Sequence, residues 1–210
     1  MKTLVLCGDY WHLPHVARGG LEALPGTEFG FDWIEDARDW SPRIMSTYSS
    51  VILTKSNNIS HTDQTEWMTN ADQAAFLEYV QGGNGLLAIH SGIATYEQKP
   101  VLRGLLGGVF LHHPEQCPVT INPRRNHPLC AGSIPCTLQD EHYFIALDDP
   151  QADVFMTTTS VNGEQPGGWR REVGSGRVAI LTPGHNLEVW LHPSFQALVT
   201  NSLRWCSKLI

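Results

Sequence analysis

Apolar residues along this chain fall into short blocks that alternate between two spacings. Met1 to Cys7 is mostly apolar and reads as a buried strand, closed by Gly8-Asp9-Tyr10-Trp11. His15 to Leu24 has the length of a short helix, halted by Pro25-Gly26. From Thr27 to Ile34, Phe29, Phe31 and Trp33 occupy alternate positions, which predicts a second strand. Ser50 to Thr54 is a third, and polar turn residues follow from Lys55 to Thr62. Thr69 then reads as an N-cap with Asp72 or Gln73 close behind, and Ala74, Phe76, Leu77 and Val80 keep helical spacing up to Gly82-Gly83. Leu86 to Ile89 is a further buried strand, and a helix is expected around Lys99 to Leu106. Strands alternating with helices imply βαβ units, hence an open parallel sheet with helices on both faces.

Beyond Gly107 the pattern changes. Val109 to His112, Cys117 to Ile121, Cys136 to Leu138, Tyr143 to Leu147 and Val154 to Thr159 all have the length of strands. Gly168 to Val173 and Arg177 to Thr182 flank Gly174-Ser175-Gly176, a hairpin signal. Pro193 to Cys206 carries Phe195, Leu198, Val199, Leu203 and Trp205 at helical spacing. No linker, repeat or low-complexity segment interrupts the chain, so residues 1–210 are expected to form one α/β domain with an antiparallel elaboration in the C-terminal half.

Charged residues make up only 17% of the 210 positions, below the usual ~25%. The surface must then be largely neutral polar, or covered by another subunit. With seven tryptophans and an apolar terminal helix, a two-fold homodimer is the expectation. A net charge of −7 without a Lys/Arg run argues against nucleic acid and anionic membranes as partners. No apolar stretch approaches the ~20 residues that span a bilayer. Thr3 to Cys7 is too short for a signal-peptide core. The five cysteines are odd in number and scattered, with no CxxC. A cytoplasmic protein with reduced thiols is expected.

The candidate chemistry starts at Gly82-Gly-Asn-Gly-Leu-Leu-Ala-Ile-His90-Ser91-Gly92. A buried strand runs directly into His90, with the small residues Ala88 and Gly92 two positions to either side. That is the spacing of a nucleophile elbow, a strand-to-helix turn too tight for bulky neighbours. Imidazole stands where such turns carry Ser or Cys. In parallel sheets ligands bind beyond the carboxyl ends of the strands. Those ends hold Asp9-Tyr10-Trp11-His12, Thr54-Lys55, His90-Ser91 and, after the late strand, Pro183-Gly184-His185. His90 and His185 thus reach one rim, as a proton-transfer pair or a metal site requires. Asp140-Glu141-His142-Tyr143 reads on its own as a solvated turn, and His112-His113-Pro114 as a surface loop. Neither has the spacing of a known metal motif, and His12 and His15 have no assigned role.

Several motifs carry a resemblance. The Gly82–Ser91 segment, Gly107-Gly-Val-Phe-x-x-His113-Pro, Asn126-His-Pro-Leu-x-Ala-Gly132 and Asp140-Glu-x-Tyr143 resemble the ThuA-like (trehalose utilisation) family. So do the late Gly-x-Gly-Arg-Val hairpin, Pro183-Gly-His185, Trp190 and Asn201-x-x-x-Trp205. The motifs occur in the family's order from residue 82 onward. The resemblance implies the flavodoxin-like fold of class I glutamine amidotransferases, with the elbow cysteine replaced by His90 and with His185 near the triad histidine. Glutamine hydrolysis by a thiolate is then not expected. It also implies bacterial catabolism of trehalose-like disaccharides or keto-sugars, with a small sugar as partner and no nucleotide cofactor. His90, Glu141 and His185 are the expected acid–base residues, or the ligands of a divalent metal for which zinc is the default. Tyr10, Trp11, Ser91, His113 and Tyr143 are the expected substrate contacts, with Trp190 a further aromatic near the rim. The alternative is a non-catalytic sugar-binding or scaffold protein on an inherited enzyme fold.

Overall fold

The computed structural model describes residues 1–26 and 28–210. Thr27, where the second strand was expected to begin, lies outside the described residues. Strands β1 (Lys2–Cys7), β2 (Gly30–Ile34), β3 (Ser50–Thr54) and β4 (Gly85–Ile89) pair in parallel with one another, and β11 (Gly176–Leu181) pairs in parallel with β4. Their order, β2-β1-β3-β4-β11, is the flavodoxin-like order 2-1-3-4-5.

Antiparallel strands extend the sheet from β11 outward through β10 (Gly163–Val173), β9 (Asp153–Ser160), β6 (Cys117–Pro123) and β7 (Cys136–Asp140). A separate antiparallel pair joins β5 (Gly108–His112) to β8 (Phe144–Leu147). The α/β architecture with its C-terminal antiparallel elaboration is therefore the one expected from the sequence.

Alternation along the central strands assigns each face its own core. Leu4, Leu6, Val51, Leu53, Leu86, Ala88, Val178 and Ile180 face one layer, made by α2 (Pro42–Met45), α3 (Asn70–Gln81) and α4 (Pro100–Leu106). Val5, Cys7, Ile52, Leu87, Ile89, Ala179 and Leu181 face the other, made by α1 (Pro14–Glu22), α5 (Leu187–Leu191) and α6 (Pro193–Cys206). The capping box predicted for α3 is formed, with Thr69 Oγ1 accepting from the Asp72 N–H at 3.2 Å and Asp72 Oδ2 from the Thr69 N–H at 2.8 Å.

Three differences from expectation have local causes. The helices α2 and α5 are too short to show a period in the sequence. Strand β10 begins at Gly163, although Pro166-Gly167-Gly168 looks like a strand end. Its pairing with β9 shifts register there, and the irregularity accommodates a residue with no N–H to donate. The apolar side of α6 (Phe195, Leu198, Val199, Leu203) packs into the core on one face of the sheet instead of facing outward.

The elbow after β4 is held by steric fit. His90 opens a 3-10 turn (His90–Ile93) in the left-handed region, at φ +48°. Gly92 lies so close to β3 that a β-carbon there would sit 1.9 Å from the Leu53 carbonyl oxygen. Gly92→Ala is therefore expected to destabilise the protein by about 3 kcal/mol or more, read as a lowered midpoint in denaturant unfolding. A midpoint equal to that of the parent protein would contradict this packing.

Candidate functional site

All five parallel strands point their carboxyl ends to the same edge, and the ionisable side chains gather there. Gly8-Asp9 follows β1. The Asp9 carboxylate is wholly buried. Its Oδ1 accepts from the Trp11 and His12 N–H groups at 2.9 and 3.0 Å, and its Oδ2 from the Ser56 N–H at 2.9 Å. The same Oδ1 lies 2.8 Å from His12 Nδ1. Burial alone would raise the Asp9 pKa, but the hydrogen bond and charge of His12 and the backbone donors outweigh it and bring it to about 2. An ionised acceptor on Nδ1 fixes a proton there and turns Nε2 toward the neighbouring histidines. Lys55, also buried, donates from Nζ to the carbonyls of Gly8 and Glu35 and pins the same turn.

His90 is buried at the elbow, stacked on Tyr143 with ring centroids 4.2 Å apart. Its Nδ1 donates to the Thr182 carbonyl at 2.9 Å. A carbonyl only accepts, so the proton sits on Nδ1 and Nε2 faces Glu141. Burial lowers the His90 pKa, against the raising effect of Glu141, and the ring is kept neutral.

His185 arrives from the loop after β11. That loop needs Gly184 at φ +134°, where a β-carbon would press on the Trp190 indole. Asp140, at the end of β7 and fully buried, seats the loop: its oxygens accept from the Gly184 and His185 N–H groups, both at 2.9 Å. The next residue, Glu141, is thereby aimed at the histidines. His185 Nδ1 is 3.1 Å from Glu141 Oε1, His90 Nε2 is 3.5 Å from Oε2, and His113 Nε2 is 3.5 Å from Oε1. Burial pushes Glu141 up, but His185 and His90 outweigh it and hold the carboxyl well below the usual carboxylate range. Glu141 in turn raises His185.

The structure thus brings His90, Glu141 and His185 together. It adds His12, to which the sequence had assigned no role: one ligand atom each from His12, His90, Glu141 and His185 lie within 4.8 Å of one another. The only sequence signal for His12 was its place just past the first strand end. His15 is exposed and lies outside the group.

Above the cluster opens a cavity of about 300 Å³, lined by Trp11, His12, Ser56, Ala94, Thr95, Phe110, His113, Glu141, Tyr143 and His185. The β5–β8 pair sets His113 and Tyr143 in its wall, since one residue follows β5 and the other precedes β8. Of the expected contacts, Trp11, His113 and Tyr143 line this cavity. Ser91 lies behind His90 against a much smaller hollow, and Tyr10 stands outside, edge-on to Trp11. Trp190 is buried and donates from Nε1 to the Gly184 carbonyl at 2.7 Å, a structural role. The reading of Asp140-Glu141-His142-Tyr143 as a solvated turn is corrected, because three of the four are buried and Glu141 nearly so. None of the cavity's lining residues is a cysteine, and burial pushes the Cys7 thiol up to about 12.

The folded protein keeps Asp9 ionised to about pH 2, against an ordinary value of 3.8. Its contribution, about 2 kcal/mol, is complete above that ordinary value and is lost as pH falls through the folded one. Asp9→Asn should therefore lower the unfolding free energy by about 2 kcal/mol at neutral pH, with the gap to the parent protein closing toward pH ~2. A gap that stays constant across that range would remove the ionised Asp9 from the account.

The family model for ThuA, described as trehalose utilisation, matches residues 13–206. Solved structures of similar fold include a ThuA-like protein from Parabacteroides merdae, 18% identical, with a TM-score of 0.75 over 99% of this chain and 90% of the other. A ThuA-like protein from Bacteroides uniformis is 21% identical, with a TM-score of 0.76 over 98% and 91%. A cytoplasmic protein from Salmonella typhimurium is 16% identical, with a TM-score of 0.71 over 98% and 99%. No curated protein matches the chain. Among the described residues no helix is long and apolar enough to cross a membrane.

Proposed function

The chain belongs to the ThuA family, one of trehalose utilisation, and from that premise we propose an enzyme of carbohydrate catabolism acting on a small neutral sugar or keto-sugar in the cavity over Glu141. The observation that carries this is the convergence of His90, His185 and Glu141 at 3.1–3.5 Å, with His185 and Glu141 in the cavity lining and His90 buried behind them. That convergence favours an enzyme over a sugar-binding or scaffold protein. Histidines kept only for packing would bond to backbone alone, whereas His90 and His185 both turn a ring nitrogen to the same carboxylate.

The cavity suits one sugar ring. Its lining includes no Lys or Arg, the usual recognition groups for phosphate or carboxylate, so uncharged substrates fit best. Trp11, Phe110 and Tyr143 supply apolar faces, and Ser56 and Thr95 supply hydroxyls. The reaction class that fits is proton movement or bond polarisation beside a sugar carbonyl, where a neutral imidazole or a bound cation is effective near pH 7. Both forms need His90, which touches Glu141 from the buried side. The reading places the enzyme in the cytoplasm as a homodimer; the exposed apolar side chains Leu13, Ile134 and Leu191 support a covered surface.

The test is turnover on a panel of trehalose, related disaccharides and their 3-keto derivatives. His90→Ala should lower kcat by about 10²–10⁴-fold on whichever sugar is turned over, with the folded spectrum retained. Full turnover by His90→Ala, or turnover confined to charged sugars, would overturn the proposal.

A further inference from the structure

We infer that His12, His90, His185 and Glu141 form a binding site for one divalent transition metal of the zinc class, placed where the cavity floor meets the carboxyl edge of the sheet. The inference stands apart from the sugar reading, because a chain that turned over no sugar would still hold the ion.

Three unpartnered ring nitrogens carry it. His12 Nε2, His90 Nε2 and His185 Nδ1 are buried and have no hydrogen-bond partner among the described residues. Leaving one such buried group unpaired is unfavourable, and three aimed at one point call for a common occupant. His185 Nδ1 approaches Glu141 Oε1 to 3.1 Å but off the hydrogen-bond line, as two ligands of one ion do.

The surroundings set the protonation that ligation needs. A metal-bound imidazole uses one nitrogen and normally donates the other N–H to a carboxylate or a carbonyl. His12 gives Nδ1–H to Asp9, and His90 gives Nδ1–H to Thr182. Each is locked in the tautomer that turns Nε2 inward. Asp9 and Asp140 hold the backbone of the two loops that carry His12 and His185, so the donors are positioned without the ion.

The charges point the same way. Glu141 is mostly buried, and among the described residues only histidines lie within ion-pair distance of it. A divalent cation at the centre of the cluster neutralises this carboxylate.

Spacing and donor type select the metal. Ligand bonds of about 2.0–2.2 Å in a tetrahedral set put neighbouring donor atoms about 3.4 Å apart. His185 lies 3.1 Å from Glu141 Oε1 and His90 3.5 Å from Oε2, on either side of that value, and separations of up to 4.8 Å within the set call for a small inward shift. Three imidazoles and one carboxylate suit zinc and its neighbours, whereas magnesium and calcium prefer oxygen. His12, Glu141 and His185 all line the large cavity, so a substrate oxygen can reach the ion. His113 stays outside the ligand set, with Nδ1 donating to the Pro114 carbonyl at 2.7 Å, and is the imidazole left free to face the substrate.

Metal-stripped full-length protein titrated with cobalt(II), then with zinc in competition, reads the site directly and independently of turnover. A single equivalent of cobalt should bind with the visible absorption of a low-coordinate nitrogen-oxygen site, and zinc should bleach it. His12→Asn and His185→Asn should each weaken binding at least about tenfold, while His15→Asn, on the exposed side of the same loop and helix, leaves it unchanged. His185 is partly exposed, so its variant keeps the test available if the His12 variant does not fold. Absence of a cobalt or zinc site in the parent protein, or equal affinity in the parent and in both ligand variants, would overturn the inference.

Discussion

The backbone contact between Gly92 and the carbonyl of Leu53 is the constraint on which the site depends. It lets the chain leave β4 without rising away from β3, and it drives His90 into a left-handed conformation that a non-glycine residue adopts only under compulsion. Compulsion comes from the two packed cores on either side of the sheet. They hold β3 and β4 in register to within one residue of the turn. An imidazole anchored this way has no rotational freedom to lose, so its inward nitrogen is aimed before any ligand arrives.

Two buried carboxylates extend that order to the neighbouring loops by the same device. Asp9 gathers the N–H groups of Trp11, His12 and Ser56, and Asp140 those of Gly184 and His185. Backbone donors and His12 keep Asp9 ionised against its burial, whereas burial outweighs the donors at Asp140 and raises its pKa. The result is a set of loops fixed as firmly as the strand ends they follow. Four side chains from four such places meet at one point, although His12 and His185 are separated by most of the sequence.

Much of the fold was legible from period and punctuation. The inner parallel strands β3, β4 and β11 are largely apolar runs because both faces are covered, the edge strand β2 shows alternation instead, and α3 announces itself through Thr69 and Gly82. What escaped was short or locally contradictory: α2 and α5, and the strand that runs on through Pro166 by way of a bulge. Of the site, the elbow at His90 could be read because its small neighbours leave a mark on the sequence. His185 could be read because a glycine precedes it at a strand end. Glu141 could not be read on its own residues, since its segment looks like a polar turn and is buried only through the sheet extension that carries β7. His12 had no mark beyond its position after β1. Its role comes from Asp9, whose carboxylate folds the intervening residues back over the edge, and that is a three-dimensional fact.

The central claim is that this edge of the sheet is built around one cation. Anomalous diffraction at the zinc absorption edge, from crystals of the protein grown with zinc, tests it most directly. The account predicts a single peak at about 2.0–2.2 Å from His12 Nε2, His90 Nε2, a ring nitrogen of His185 and an oxygen of Glu141. A cluster that stays metal-free at full zinc occupancy elsewhere, or a peak held by other residues, would contradict it.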